Sequence, residues 1–322
     1  MKAAVLHSPG DPSQFRIEER PVPTSTAGQV LVRVRAFGLN RSELMTRKGL
    51  SPGVQFPRIL GIECVGEVVE DSSGEFQPGQ QVAALMGGLG RDFDGSYAEY
   101  TVVPKTILYP FRSQLPWEQL GAIPEMFQTV YGSLHLALHI QAGETLLVRG
   151  GTSSIGLLAA QLARQAGLTV LATTRSTAKA DLLTANGATH VLVDDGQVHD
   201  QVRTLFPQGV DRALELVGAT TLRDTLSCLK PGGLGCMTGM LSESWSISDF
   251  APMEFIPATV GLTIYDSGQV MAPAEALQAF IASVEAGQVK LGIGRTFTFD
   301  NIVAAHQLMD SNAAGGKIVV TT

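Results

Sequence analysis

The sequence predicts an α/β protein, with a β-rich barrel domain and a doubly wound parallel-sheet domain. Three stretches predict this class. Residues 145–179 read as strand, glycine turn, helix and strand; residues 1–120 show short strands separated by Pro-Gly turns; residues 121–258 alternate strand with helix.

In chain order, residues 29–37 give the clearest strand, with Val30, Val32, Val34 and Ala36 on one face and Leu31, Arg33 and Arg35 on the other. Further strands fit residues 2–7, 61–69 and 81–85, divided by turns at Pro9-Gly10, Pro52-Gly53 and Pro78-Gly79. A turn or two of helix fits 41–47, and no helix of normal length is predicted before residue 120. That pattern suits a small, irregular antiparallel barrel or sandwich. After the 145–179 unit come a strand at 190–193, a helix at 198–206, a strand at 210–216 and a helix at 220–229. Pro231-Gly232-Gly233 then introduces a strand at 234–238, completing the order of a Rossmann sheet. The tail, 259–322, carries helices at 274–286 and 301–312 and a strand at 317–320. It is expected to return to the first domain, making the Rossmann unit, 121–258, an insertion.

The turn Gly151-Thr152-Ser153-Ser154-Ile155-Gly156 reads G-x-S-x-x-G against the dinucleotide pattern G-x-G-x-x-G. Gly151 suits the sharp turn, and Gly156 lets the helix pack close to the strand. Ser153 stands at the middle glycine's place, small enough to fit and expected to add a hydroxyl donor. The helix start contributes free N–H groups and about half a positive charge. An NAD-binding protein places a carboxylate at the end of the second strand, for the ribose hydroxyl. Here that neighbourhood holds Thr174, Arg175, Ser176 and Lys179, with no carboxylate before Asp181. Cations and hydroxyls suit a 2′-phosphate, which selects NADPH over NADH.

A net charge of −7 supplies no field that would attract nucleic acid or an anionic membrane. No apolar run reaches the ~20 residues that span a bilayer, and the first residues do not resemble a signal peptide. Cys64, Cys228 and Cys236 are scattered and odd in number, which fits a reducing cytoplasm and offers no disulfide framework or metal cluster.

Several motifs follow one another in a telling order. They are Phe37-Gly38-Leu39-Asn40, Pro57-Arg58-Ile59-Leu60-Gly61-Ile62-Glu63 running into Val65-Gly66-Glu67-Val68, and Gly95-Ser96-Tyr97-Ala98-Glu99-Tyr100. Gln128-Thr129-Val130-Tyr131, the glycine turn, Glu215-Leu216-Val217-Gly218 and Gly316-Lys317-Ile318-Val319 complete the set. In this order the chain resembles the medium-chain dehydrogenase/reductase superfamily, and within it the zinc-free quinone oxidoreductase (zeta-crystallin-like) branch. The resemblance implies a GroES-like catalytic domain, 1–120 completed by 259–322, beside the Rossmann NADPH-binding domain. Zinc members of the superfamily hold their metal with a Cys where this chain has Asn40 and a His where it has Ile62. Ile62 offers no lone pair, so no metal is expected, and Cys64 is read as a small buried thiol.

Without a Lewis acid the expected acceptor stabilises its own negative charge, as a quinone or an α,β-unsaturated carbonyl does. The resemblance places Asn40 beside nicotinamide and substrate, and Thr129 under the nicotinamide ring. It places Val217 and Gly218 along the adenosine, Gly239 and Leu241 at the carboxamide, and Lys317 on the pyrophosphate. Met45 falls where branch members often carry a substrate-facing Tyr. A thioether there cannot donate a proton, which makes the expected pocket more apolar. Tyr97 and Tyr131 read as core packing, and no histidine sits in a catalytic constellation. Two alternatives stay open, a pathway enoyl-thioester reductase and a non-catalytic, crystallin-like NADPH-binding protein. The resemblance also implies a homodimer, with residues 255–265 as the candidate edge.

Overall fold

The computed structural model describes residues 1–322. It comprises two compact units, Met1–Gln128 with Met271–Thr322, and Thr129–Val270. The strands in chain order are β1 (Lys2–Leu6), β2 (Phe15–Glu19), β3 (Gln29–Gly38), β4 (Arg58–Ile59), β5 (Glu63–Asp71), β6 (Gln81–Leu85), β7 (Tyr100–Pro104) and β8 (Leu108–Pro110). They continue with β9 (Thr145–Arg149), β10 (Thr169–Thr174), β11 (His190–Val193), β12 (Val210–Glu215), β13 (Leu229–Met237), β14 (Gly261–Ile264), β15 (Ile293–Thr298) and β16 (Lys317–Thr321).

In the first unit the alternating strand β3 pairs antiparallel with β5, β7 and β16. The main sheet runs β15-β16-β3-β5-β6-β8, and a smaller one runs β2-β1-β4. Val30, Val32 and Val34 enter the core together with Phe37, whose ring stacks on Tyr97 at 4.7 Å between centroids. Arg33 points outward, as the alternation requires. The tail does return to this unit, since β16 pairs with β3 through Val320 and Phe37. The helices Ala274–Glu285 and Ile302–Asp310 precede it.

The second unit is a six-stranded parallel sheet ordered β11-β10-β9-β12-β13-β14. Counted from β9 this reads 3-2-1-4-5-6, the order of a dinucleotide-binding domain. Its last strand shifts the expected domain limits. Residues 261–264 extend the parallel sheet by pairing with β13, so they belong here and not to the returning tail. At the other limit, residues 121–128 stay with the first unit, where a side chain on Gly121 would lie 2.7 Å from Ala36 and 3.0 Å from Val319. The helix Ser154–Gln165 buries Gly156, Ala159, Ala160 and Ala163. These small residues let the helix axis lie close to the sheet. A π-helical turn at Gly132–Ala137, absent from the sequence expectation, follows the helix Pro124–Tyr131.

Candidate active site

In the second unit the site is built at the carboxyl ends of β9, β10, β12 and β13. Gly150 adopts φ +84°, and its N–H donates to Thr173 Oγ1 at 3.0 Å, while Gly151 N–H donates to the Thr173 carbonyl at 3.1 Å. A Cβ on Gly156 would lie 2.6 Å from the Gly150 carbonyl oxygen, so only glycine allows this approach of helix to turn. Ser153 caps the helix. Its hydroxyl donates to the Gly150 carbonyl at 2.8 Å and accepts from Gly156 N–H at 3.0 Å. That corrects the expectation of a spare hydroxyl donor, because the turn itself consumes the proton. Of the first helical N–H groups, which lack intrahelical partners, Ser153 bonds to the Gly150 carbonyl and Gly156 to the cap. Those of Ser154 and Ile155 remain for an anion. Thr152 is half-buried between Gly151 and the cap.

At the end of β10, Thr174 is buried, and its hydroxyl donates to the Ser176 carbonyl at 3.0 Å and accepts Ser176 N–H at 3.2 Å. It therefore shapes the turn, while Arg175, Ser176 and Lys179 stand exposed around it. The neighbouring strand end carries Asp194, whose N–H donates to the Thr174 carbonyl at 2.8 Å. The Arg149 guanidinium binds its carboxylate at 2.6 and 2.8 Å. Burial works to raise the Asp194 carboxyl, and the Arg149 hydrogen bonds and charge outweigh it, holding the group below the usual carboxylate range.

Arg149 is fully buried and also donates to Asp224 at 2.5 Å and Thr225 at 3.3 Å. Thr225 donates to Glu215 at 2.5 Å, and Glu215 Oε1 accepts the N–H groups of Val217 at 2.6 Å and Gly218 at 2.9 Å. These backbone donors therefore serve the buried network and not a ligand directly. Sequence reasoning missed the network because Arg149 reads as an ordinary strand end, and its partners are remote in the chain. Leu241, Val217 and Leu216 crowd Gly150, where a Cβ would meet each within 3.4 Å. Gly239 is needed because a Cβ there would lie 2.5 Å from the Leu216 carbonyl oxygen. Half-buried Thr129 connects to this end of the sheet through Ser133. The Ser133 hydroxyl donates to the Thr129 carbonyl at 2.7 Å and bonds Thr238 Oγ1 at 2.8 Å.

In the first unit a second cluster surrounds Asn40, which starts the helix Arg41–Arg47. Asn40 Nδ2 donates to Glu63 Oε1 at 2.8 Å, and Lys317 Nζ donates to Asn40 Oδ1 at 2.5 Å and to Glu63 Oε1 at 2.7 Å. Glu63 Oε2 accepts Glu125 N–H at 2.7 Å. Glu43 accepts Asn40 N–H at 3.0 Å and Ile62 N–H at 3.1 Å, and burial pushes its carboxyl up to about 7. Two expected roles are corrected here. Lys317, only 4% exposed, holds this cluster together, so its ammonium is not available as the pyrophosphate ligand it was expected to be. Met45 is buried in the hydrophobic core with Leu44 and presents no thioether to a substrate, because that face of the helix packs inward. Ile62 is also buried, and burial pushes the Cys64 thiol up to about 12. No group of three or more His, Cys, Asp or Glu side chains is arranged to hold a metal ion.

A 3-2-1-4-5-6 sheet with a glycine turn at its first crossover defines a nucleotide-dependent protein of the dehydrogenase type. Comparison with known proteins agrees. Residues 26–113 match the family described as alcohol dehydrogenase GroES-like domain, and residues 186–320 match the family described as zinc-binding dehydrogenase. The chain is 28% identical to quinone oxidoreductase of Pongo abelii, covering 99% of this chain and 97% of the relative. It is 24% identical to acryloyl-coenzyme A reductase of Metallosphaera sedula, with 100% of each chain covered. Its fold is similar to that of Escherichia coli quinone oxidoreductase complexed with NADPH, with TM-score 0.88, 20% identity and 100% of each chain covered. The chain belongs to the medium-chain dehydrogenase/reductase superfamily and, within it, to the zinc-free quinone oxidoreductase branch.

Proposed function

We propose that the protein is a zinc-independent, NADPH-dependent oxidoreductase that reduces a quinone or an α,β-unsaturated carbonyl. The observation that carries the reading lies at the end of β10. Arg175, Ser176 and Lys179 are exposed there, and the adjacent carboxylate, Asp194, is neutralised by Arg149. A 2′-phosphate meets cations at this point, while a bare ribose finds no unpaired carboxylate for its hydroxyls. The glycine cradle fits a pyrophosphate, with the N–H groups of Ser154 and Ile155 as donors.

NADPH, when bound, supplies a hydride. The chain's contribution is to bind, to orient and to meet developing charge. In this reading Thr129 lies under the nicotinamide ring, Gly239 and Leu241 line the carboxamide, and Val217 and Gly218 border the adenosine. Asn40 serves the acceptor through its carboxamide N–H. The position that a zinc ligand would need is Ile62, which has no lone pair, so the acceptor must delocalise its own negative charge.

Calorimetry tests the cofactor. NADPH should bind more tightly than NADH, and Arg175→Ala with Lys179→Ala should weaken NADPH about tenfold to a hundredfold while leaving NADH nearly unchanged. Equal binding of the two cofactors by the unaltered protein would defeat the reading. A second reading, an enoyl-thioester reductase, is favoured by the likeness to acryloyl-coenzyme A reductase. Turnover on a quinone, an enone and an enoyl thioester separates the two, and tight NADPH binding with no turnover on any of the three would favour the non-catalytic alternative. The protein is further read as a cytoplasmic homodimer, paired through the second unit's sheet.

A further inference from the structure

We propose that Glu63 and Lys317 are positioning residues for the Asn40 carboxamide, locking it so that the function it presents outward is an N–H donor for a carbonyl oxygen becoming anionic. The inference rests on the reductase reading above and specifies what Asn40 recognises in the acceptor.

A free asparagine amide can turn over, exchanging its oxygen and nitrogen at little cost. Here the exchange is blocked by charge. Lys317 Nζ reaches both Asn40 Oδ1 and Glu63 Oε1, and Asn40 Nδ2 reaches the same Glu63 oxygen. The turned amide would aim Oδ1 at a carboxylate oxygen and Nδ2 at an ammonium, two repulsive contacts in place of two charge-assisted bonds. Glu63 is 0% and Lys317 4% exposed, so water cannot soften either repulsion. The pair is itself anchored, because Glu125 N–H holds the other Glu63 oxygen at 2.7 Å.

The remaining hydrogen-bonding capacity of Asn40 is thereby selected. One Nδ2 proton is given to Glu63. The second has only Glu43 Oε1 nearby, at 3.5 Å, a weak contact to an oxygen that already accepts Ile62 N–H at 3.1 Å. Asn40 is half-buried while its partners are enclosed, so its open side can meet a ligand. A donor held in advance suits the oxygen of an enone or quinone, which gains negative charge as hydride arrives at carbon.

Four purified variants test this: Asn40→Ala, the charge-free pair Glu63→Gln/Lys317→Met, the triple combination, and Lys317→Arg, which keeps the cation. Turnover of an enone and a quinone with NADPH is followed by calorimetry of NADPH binding. Losing one positioned donor to a developing oxyanion costs about 10²–10³ in kcat. The pair variant is expected to lose about tenfold or more in kcat with its NADPH affinity retained, and Lys317→Arg to recover much of that loss. The triple variant should be no slower than Asn40→Ala, since the pair acts through Asn40. Losses that multiply in the triple variant would overturn the proposal, as would a pair variant with unaltered kcat.

The side-chain amide of Asn40, observed by NMR after selective ¹⁵N labelling of asparagine, gives a readout independent of turnover. The Hδ2 resonance bonded to the buried Glu63 carboxylate is expected well away from the shift of a free asparagine amide in the unaltered protein, and should move toward that shift in the pair variant. If the unaltered protein reduces none of the acceptors yet shows this change, the positioning stands and the reductase reading falls. If the resonances are the same in both proteins, the positioning falls whatever the activity.

Discussion

His306 is wholly enclosed in the barrel unit, with Phe15 at 4.6 Å between ring centroids and the Tyr97 hydroxyl 3.1 Å from Nε2. Burial, assisted by the charge of Arg47, pushes its pKa down from 6.5 to about 3. Glu43 is displaced the other way, from 4.5 up to about 7. The two shifts have opposite consequences for stability. An unfolded histidine takes up a proton that folded His306 refuses, so its contribution is present above 6.5 and is lost as pH falls toward 3. Folded Glu43 keeps a proton that the unfolded chain releases, so its contribution is present below 4.5 and is lost as pH rises through 7. Between 4.5 and 6.5 the slopes oppose each other, at ~1.4 kcal/mol per pH unit each. His306→Gln should therefore lose stability from pH 5 to pH 6, relative to the unaltered protein, and Glu43→Gln should gain it. Denaturant titrations of the three proteins at both pH values would show this, and variants shifting in the same direction would refute it.

Secondary structure exposes which features the sequence makes legible. The glycine turn is local, so its residues declare it: Gly150 needs positive φ, and Gly156 tolerates no Cβ against the Gly150 carbonyl oxygen. Gly156→Ala should force backbone apart and cost about 1–3 kcal/mol. It should also weaken NADPH by shifting the N–H groups of Ser154 and Ile155. A melting temperature and an NADPH affinity equal to those of the unaltered protein would contradict both effects. The sheet order is legible for the same reason, because each βα step repeats a short pattern. What could not be read depends on distant partners. Arg149 meets Asp194 and Asp224 across 45 and 75 positions, and Lys317 meets Glu63 across 254. No spacing rule announces such pairs, and the Gly316–Val319 motif says nothing of the carboxylate that Lys317 meets. Met45 failed differently, because a position inferred from relatives says nothing of which helix face turns inward.

At the scale of the molecule, the second unit's sheet ends on a strand with no further strand beside it. β14 is its last strand and pairs only with β13, so the backbone groups along its outer side lack a strand partner. Exposed large apolar side chains gather in this part of the chain: Trp245 at 59%, Met253 at 95% and Ile264 at 64% exposure, with Phe250 and Val270 close to half. An open strand edge accompanied by apolar surface is costly in water and ordinarily marks an interface. The occupant to test is a second copy, since a two-fold axis would place β14 antiparallel to itself and close the ladder. The stretch 255–265, singled out from sequence for its apolar character, contains this strand. Ile264→Lys combined with Met253→Glu would place charge on the apolar surface while leaving the Ser154–Gln165 helix and Arg175 untouched. Light scattering at micromolar concentration should then give twice the chain mass for the unaltered protein and a single chain mass for the variant, with NADPH affinity preserved. A monomeric unaltered protein would show that the exposed edge serves some other purpose, and a variant that stays dimeric would move the interface elsewhere on the chain.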